Sequence, residues 1–286
     1  NLTEKITSIL NFNMRDKDSI ESIVEKLKSK SSAGVDGIST NILKSSNKII
    51  SGTLALIINQ SLTTGIFPDR LKCAKVIPIF KKDNPHLPGN YRPISLLPAI
   101  SKVFEKVVYT QVYDYLNENK ILYKNQYGFR KNHSTELAAM EVSIKLFENL
   151  DKRKIPLAIF LDFSKAFDTI DHEILLYKLS YYGIKNTTLA WFKSYLSNRT
   201  QFVQYKDIAS ENLTITTGVP QGSILGPLLF IIYINDIAKV TDKFHFTIYA
   251  DDTTLLEPLC TFKIPTSQSI KSINQMVNAE LTRIVE

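Results

Sequence analysis

The sequence has few cysteines and histidines, and their positions exclude several kinds of site. The two cysteines, Cys73 and Cys260, lie far apart in the 286 residues, so neither a disulfide framework nor a thiolate zinc site is indicated. The four histidines show no spacing typical of metal ligands. The chain also lacks a P-loop, a dinucleotide-binding fingerprint and a hydrolase triad signature. We therefore expect a protein of a reducing compartment whose chemistry uses other side chains.

Long apolar runs are also missing. The longest stretch, residues 224–234, contains Gly226 and Pro227 and is shorter than the ~20 residues that a membrane-spanning helix requires. We find no signal-peptide pattern, and we expect an intracellular protein with no membrane partner. The chain begins at Asn1 and ends at Glu286 inside an amphipathic pattern without a helix stop signal. These ends predict a piece of a longer polypeptide.

Positive charge is in excess. The net charge is +7 and the pI is about 9.1, which favours a polyanionic partner, with nucleic acid preferred over an acidic membrane. The basic residues form two segments without acids, 70–82 and 120–131. They are Arg70, Lys72, Lys75, Lys81 and Lys82 in the first, and Lys120, Lys124, Arg130 and Lys131 in the second. Two such segments suggest a track for a phosphate backbone, although solvated loop lysines are an equally simple interpretation.

The hydrophobic pattern predicts a mixture of helices and strands. Asp18 and Glu21 resemble a capping box ahead of the first helix, and helical spacing returns at residues 42–62, 103–116, 137–144 and 174–179. Five prolines between residues 68 and 93 predict strand and loop there, and residues 200–205 with 213–217 predict a hairpin. With 44% hydrophobic residues for a core, the sequence predicts an α+β protein with an antiparallel sheet.

Three aspartates stand at the ends of two predicted strands. Asp162 follows the apolar run 157–161, which we interpret as a buried strand, and Asp251 and Asp252 follow the alternating run 244–249. Carboxylates at the tips of neighbouring strands suit a pair of Mg²⁺ ions, which prefer oxygen ligands and offset the repulsion between acids. Taken alone, an acid at a strand end such as Asp162 is more often a turn or cap residue than a metal ligand. The adjacent pair favours a cation more strongly, because its carboxylates repel each other and its turn lacks the Asn-Gly or Asp-Gly sequence of an ordinary hairpin, although a purely structural turn stays an equal alternative.

A glycine- and proline-rich segment, residues 218–227, precedes a helix-like run. Its glycines permit close approach of a backbone to a ligand, and Gln221 could hydrogen-bond that ligand. Taken alone, such a segment is more often a helix-entry loop than a nucleotide site.

Five blocks of the sequence resemble the ordered motifs of reverse transcriptases, most closely those of the non-LTR (LINE-type) retrotransposon branch. They are Asn90-Tyr91-Arg92-Pro93-Ile94-Ser95-Leu96-Leu97, Gln126-Tyr127-Gly128-Phe129-Arg130, Phe160-Leu161-Asp162-Phe163-Ser164-Lys165-Ala166-Phe167-Asp168, residues 218–227, and Tyr249-Ala250-Asp251-Asp252. The resemblance implies a right-hand polymerase with fingers over residues 18–134 and a palm over 135–286, whose residues 172–217 fold back onto the fingers. The palm sheet would be antiparallel and flanked by helices, and the thumb would be absent.

The resemblance also implies a site. Asp162 and Asp251 would bind two Mg²⁺ ions, or Mn²⁺ in their place, with Asp252 supporting and the Phe163 carbonyl completing one metal. The nucleotide would contact the fingers arginine Arg92, assisted by Lys75 or Lys82. Ala166, Phe167, Gln221 and Gly222 would line the pocket of the deoxynucleoside triphosphate.

Phe167 bears on the choice of sugar. In reverse transcriptases an aromatic ring at this position packs under the sugar and leaves no room for a 2′-hydroxyl, so the ring is a steric filter. The expected partners are an RNA template, a DNA primer and deoxynucleoside triphosphates, and the expected compartment is the nucleus. Two alternatives stay open: a truncated copy that binds RNA without chemistry, and a viral RNA polymerase, which Phe167 and Ala250 disfavour.

Overall fold

The computed structural model describes residues 8–261 and 267–285, with the side chains of 258–261, 267–270 and 285 left aside. Its mixture of helices and strands confirms the α+β class. The helices are α1 Lys17–Lys26, α2 Thr40–Ser45, α3 Asn47–Thr64, α4 Ala99–Glu118, α5 Thr135–Asp151, α6 His172–Tyr181, α7 Asn186–Leu196, α8 Gly226–Tyr233 and α9 Ser267–Val285. The strands are β1 Cys73–Phe80, β2 Tyr91–Leu96, β3 Lys154–Leu161, β4 Arg199–Tyr205, β5 Ile208–Ala209, β6 Leu213–Ile215, β7 His245–Tyr249 and β8 Asp252–Thr261.

The described residues form two compact units. The three-stranded unit consists of residues 122–166 with 231–261 and 267–285, and the five-stranded unit consists of residues 8–121 and 167–230. Each unit is named after the sheet that it contains.

The three-stranded unit contains an antiparallel sheet in the order β3-β8-β7. One face of this sheet carries Phe246, Ile248 and Leu255, which are buried together with Phe244, and Leu281 and Ile284 of α9 pack against them. Helix α5 also packs against all three strands. Because side chains alternate between faces along a strand, this core fixes the register of the sheet.

The five-stranded unit contains a sheet in the order β2-β1-β4-β5, with β6 paired to β4. Strands β1 and β4 run parallel, and the other pairs are antiparallel. The predicted hairpin is confirmed as the pairing of β4 with β6. Pro78 and Pro93 stand opposite each other between β1 and β2, beyond the part of β1 that pairs with β4, where a missing N–H costs the sheet little.

The N-terminus of α1 differs from the predicted one. The predicted capping box at Asp18 is wrong: Asp16 is the N-cap of α1, and its carboxylate accepts a hydrogen bond from the Ser19 N–H at 2.9 Å. An aspartate two residues earlier reaches the first turn just as well, so the motif alone did not fix the start of the helix.

No helix within the described ranges is long and apolar enough to cross a bilayer.

Candidate active site

The register of the three-stranded sheet brings the three predicted aspartates to one edge of the sheet, the edge formed by the ends of β3 and β7 and the start of β8. Leu161, the last residue of β3, pairs with Thr253, so the next residue, Asp162, follows β3 at the end where β8 begins with Asp252. Asp252 in turn pairs with Tyr249, the last residue of β7. Neighbouring strands lie about 5 Å apart, so residues distant in the chain become neighbours at this edge.

Asp251 occupies a two-residue turn. Because Tyr249 pairs with Asp252, only Ala250 and Asp251 connect β7 to β8. Ala250 has φ +57°, a left-handed conformation that costs a residue with a Cβ about 1 kcal/mol or more. This turn lacks the usual hairpin residues, and the structure accommodates it through strain at Ala250.

The three carboxylates are accessible. Asp162 and Asp252 are exposed and Asp251 is partly buried, and none of them forms an ion pair or a side-chain hydrogen bond with another described residue. Hard oxygen donors of this kind fit Mg²⁺ or Mn²⁺. Within the described ranges, however, no three acidic, histidine or cysteine side chains are drawn together into a ready-made metal cluster. The structure therefore gathers the aspartates at one edge, and their role as metal ligands stays a prediction.

The surroundings of Asp162 correct one expectation. Strand β3 is partly buried rather than enclosed on both faces, and Phe160 is 75% exposed. Phe160 and Asp162 are two residues apart, so if the strand geometry continues past Leu161 they share a face of the sheet. Phe163 follows Asp162 and is partly buried, and Ala166 is buried. The sequence did not predict this exposed face, because apolar and polar residues do not alternate in the run 157–161.

In the five-stranded unit, Gln221 is held from both ends. Its side-chain Nε2 donates to both carboxylate oxygens of Asp168, at 2.9 and 3.0 Å. Its backbone carbonyl accepts a hydrogen bond from the Ser95 N–H on β2 at 2.8 Å. The Asp168 carboxylate, for which the sequence predicted no role, therefore orients the predicted pocket glutamine.

Two glycines of this loop are required by close backbone contacts. A Cβ on Gly222 would lie 2.4 Å from the Ser95 carbonyl oxygen, and a Cβ on Gly218 would lie 2.7 Å from the Asp168 carbonyl oxygen. Both glycines also have positive φ, +137° and +81°. The glycines thus serve contacts within the protein, in addition to any contact with a ligand.

Phe167 has an aromatic partner. Its ring stacks on Phe230 of α8 with centroids 4.8 Å apart and planes inclined by 25°, and its carbonyl accepts a hydrogen bond from the Val219 N–H at 2.9 Å. Phe230 is buried and Phe167 is partly buried. This stacking holds the Phe167 ring in one orientation and leaves part of it accessible.

A buried carboxylate supports the other end of the loop. Glu105 of α4 accepts hydrogen bonds from the hydroxyls of Ser101 and Tyr195 and from the Ile224 N–H. Burial raises the pKa of Glu105, and the nearby Arg199, also buried, acts in the opposite direction. Because these groups exclude water, Glu105 anchors the segment that follows Gly222.

The predicted cations lie on one face of the β1–β2 hairpin. Lys75 pairs with Leu96, and Arg92 pairs with Ile79, which is four residues after Lys75 on β1. Because side chains alternate between faces, Lys75 and Arg92 lie on the same face, about 13 Å apart along the strands. Arg92 is exposed and Lys75 is partly buried, whereas Lys82 is exposed in the loop after β1. The structure places Arg92 and Lys75 on a common face without bringing them together.

Two basic residues of the predicted track make internal contacts. Lys72 is buried and forms an ion pair with Asp69 at 2.7 Å. Arg130 donates to the backbone carbonyls of Tyr123 and Gln126 at 2.9 and 3.2 Å. The number of cations that could bind a phosphate backbone is therefore smaller than the sequence suggested.

A cavity of about 360 Å³ lies beside Gln221 and Asp168, between β2 and the chain from Leu213 to Val219. Arginine and lysine are missing from the described residues that line it. A triphosphate carries several negative charges and needs cations, so this cavity alone does not suit one.

Comparison with known proteins identifies the family. Residues 79–281 match the family described as reverse transcriptase (RNA-dependent DNA polymerase). The chain is 34% identical over 255 residues to the probable RNA-directed DNA polymerase from transposon BS of Drosophila melanogaster, covering 83% of this chain and 27% of that protein. It is 31% identical over 247 residues to the RNA-directed DNA polymerase from mobile element jockey of the same organism, covering 84% and 27%.

A third relative is the putative 115 kDa protein in type-1 retrotransposable element R1DM of Drosophila melanogaster, which is 31% identical over 241 residues and covers 83% of this chain and 23% of that protein. The chain thus spans about a quarter of the length of the curated relatives it matches. Enzymes of this family generally use divalent metal ions. The matches confirm the resemblance to non-LTR retrotransposon proteins, and the chain belongs to the reverse transcriptase (RNA-dependent DNA polymerase) family.

Proposed function

We propose that the chain is an RNA-directed DNA polymerase that extends a DNA primer on an RNA template with deoxynucleoside triphosphates. The observation that carries this proposal is the register of the β3-β8-β7 sheet: Asp162 follows β3 at the end where Asp251 and Asp252 connect β7 to β8, and none of the three forms an ion pair with another described residue. Family membership supports the same chemistry.

Asp162 and Asp251 would hold the divalent ions, with Asp252 supporting them and the Phe163 carbonyl as a further ligand. When bound, two divalent ions lower the pKa of the primer 3′-hydroxyl and stabilise the leaving pyrophosphate. The protein itself would contribute the positions of the ligands. The register of the sheet and the two-residue turn fix the backbone positions from which these carboxylates extend. No covalent nucleophile from the protein is required.

The five-stranded unit would supply the nucleotide contacts. Arg92 is exposed and can bind phosphate oxygens with several donors at once, with Lys75 or Lys82 as a secondary cation. The partly accessible Phe167 ring would exclude a ribose 2′-hydroxyl, and Gln221 and Gly222 would line the pocket. The Asp168 carboxylate supports this role because it fixes the Gln221 amide.

The division into fingers over residues 18–134 and palm over 135–286 stays a prediction. Its return of residues 172–217 to the fingers is supported by the parallel pairing of β4 with β1 inside one unit. RNA template, DNA primer and nuclear location are likewise proposed. The alternative of an RNA-binding module without chemistry is not favoured, because relatives are named as polymerases.

A primer-extension assay tests the proposal. The 286-residue chain, an RNA template, a DNA primer, deoxynucleoside triphosphates and Mg²⁺ should give extended primer, and EDTA should stop it. Asp251→Asn should lower the rate at least about 100-fold.

The matched control is Asp207→Asn, because Asp207 also follows a positive-φ residue, Lys206, in a two-residue turn, between Tyr205 and Ile208. This variant should extend primer like the unchanged chain. Template binding without extension by the unchanged chain would contradict the proposal.

A further inference from the structure

The block of residues 126–130 has no role in the proposed function, yet it lies along the strand that leads to Asp251. The Tyr127 N–H donates to the Ile248 carbonyl at 2.7 Å, and the Ile248 N–H donates to the Asn125 carbonyl at 2.9 Å. The segment therefore accompanies β7 up to its turn.

The Gln126 side chain holds the residue before Asp251 on both sides. Its Oε1 accepts hydrogen bonds from the N–H groups of Ala250 and Gly128, at 3.0 and 2.8 Å, and its Nε2 donates to the Ala250 carbonyl at 3.4 Å. Backbone N–H groups can only donate, so they fix which end of the amide faces them. Gln126 is 3% exposed, which shields these bonds from water.

Gly128 presses on the same residue. A Cβ at position 128 would lie 2.1 Å from the Ala250 nitrogen, 2.7 Å from its Cα and 2.9 Å from its Cβ. No such contact is tolerated between real atoms, so any side chain at position 128 must displace the turn or the segment. The glycine is required by this approach rather than by an unusual backbone angle.

The turn has two reasons to need such support. Ala250 adopts a left-handed conformation that an alanine does not favour, and Asp251 and Asp252 are adjacent carboxylates that repel each other. Both effects favour other turn conformations, in which the Asp251 carboxylate would point elsewhere. A shift of about 1 Å at a reacting group can cost about 100-fold in rate.

We propose that Gln126 and Gly128 are positioning residues, which lock the Ala250 peptide and thereby aim the Asp251 carboxylate. Gln126 acts through hydrogen bonds and Gly128 through its missing side chain. This inference rests on the proposed function, since it assumes that Asp251 is a ligand of the divalent ion.

Two measurements on the 286-residue chain test the inference. Mn²⁺ binding is followed by the electron paramagnetic resonance signal of free Mn²⁺, and single-nucleotide incorporation is followed under single-turnover conditions with increasing Mg²⁺. Gln126→Met should weaken Mn²⁺ binding and raise the half-saturating Mg²⁺ concentration, each about tenfold or more, and lower the maximal rate up to about 100-fold. The affinity for template-primer should stay unchanged.

Further variants separate positioning from general damage. Gln126→Glu keeps an oxygen that accepts from the Ala250 and Gly128 N–H groups and should recover part of the Mn²⁺ affinity. Gly128→Ala should behave like Gln126→Met, whereas Gly52→Ala in α3 meets only the Lys17 side chain, at 3.9 Å, and should be neutral.

A buried glutamine of the other unit provides the matched control. Gln111 is 7% exposed, and its amide accepts from the Asn13 N–H and donates to the Asn13 carbonyl at 2.6 and 3.3 Å. Gln111→Met should lower the melting temperature by as much as Gln126→Met and leave Mn²⁺ binding and the Mg²⁺ dependence unchanged.

The outcomes are distinct. Unchanged Mn²⁺ and Mg²⁺ dependence in Gln126→Met, with Asp251→Asn impaired, would overturn the inference and leave the proposed function intact. Equal loss in Gln126→Met and Gln111→Met would overturn it as well, since general destabilisation would then explain both. Mn²⁺ binding that Asp251→Asn does not weaken would overturn the proposed function and the inference together.

Discussion

Gln221 donates its side-chain amide to both carboxylate oxygens of Asp168, at 2.9 and 3.0 Å. A hydrogen bond to a charged acceptor is stronger than one between neutral groups. With Nε2 held in this way, the Gln221 Oε1 has a defined direction, which a nucleotide contact requires.

Asp168→Asn should weaken this restraint without removing it. The asparagine keeps one oxygen acceptor and loses the charge, so we expect the KM for deoxynucleoside triphosphates to rise about three- to tenfold, with a smaller change in kcat. Steady-state primer extension measures both constants. A fall in kcat of about three- to tenfold with an unchanged KM would contradict a role in nucleotide binding. Asp171→Asn, which changes the N-cap of α6, is a suitable control.

Phe167→Ala should admit ribonucleotides. The substitution removes the ring that is proposed to exclude the 2′-hydroxyl, and a steric filter is lost when the side chain shrinks. The ratio of kcat/KM for a deoxynucleotide to that for the matching ribonucleotide should fall at least about tenfold. Phe80→Ala, at an exposed position of β1, should keep the ratio. Unchanged sugar discrimination in Phe167→Ala would refute the assignment.

Arg92→Lys should keep the charge and lose the planar set of donors. We expect the KM for deoxynucleoside triphosphates to rise about tenfold, because an ammonium group cannot make the same paired hydrogen bonds to phosphate oxygens. Arg70→Lys, at another exposed arginine of the basic segment, should leave the KM unchanged. Similar effects in the two variants would indicate a general loss of charge-dependent binding.

The buried Glu105 should make stability depend on pH. Its pKa is raised by burial, so the folded protein binds this proton more tightly than the unfolded chain does. Stability should then fall as the pH rises from the ordinary value of 4.5 to the raised pKa, by at most about 1.4 kcal/mol per pH unit.

Urea unfolding at several pH values measures this dependence. In Glu105→Gln the fall should disappear, because the neutral side chain does not titrate. Glu118→Gln, at an exposed position of the same helix, should retain it. The same pH dependence in all three proteins would show that another group is responsible.

The strands that precede the candidate metal ligands were predictable, because acids at strand ends can be recognised in the sequence. The apolar and alternating runs before Asp162 and Asp251 predicted strands, and β3 and β7 are found there. The sequence indicated that these two strands lie in one sheet and end at the same edge. The structure shows that β8 lies between them and pairs with both.

Other features could not be predicted, because they depend on contacts between distant residues. Nothing in the sequence pairs Gln126 with Ala250 or Asp168 with Gln221, since a buried amide acquires its role only from what the fold places beside it. The predicted burial of the strand was wrong at Phe160 for a related reason. A continuous apolar run predicts burial on both faces, and only the packing of the neighbouring elements leaves this ring exposed.

In the proposed function Asp162 and Asp251 hold the divalent ions, and Asp252 supports them. The most direct test is to count the Mn²⁺ ions bound by the 286-residue chain with template-primer and a nonhydrolysable deoxynucleotide, in the unchanged protein, Asp162→Asn, Asp251→Asn and Asp207→Asn. Binding of both ions should be lost or strongly weakened in Asp162→Asn and Asp251→Asn and retained in Asp207→Asn. Full Mn²⁺ binding in Asp162→Asn and Asp251→Asn would contradict it.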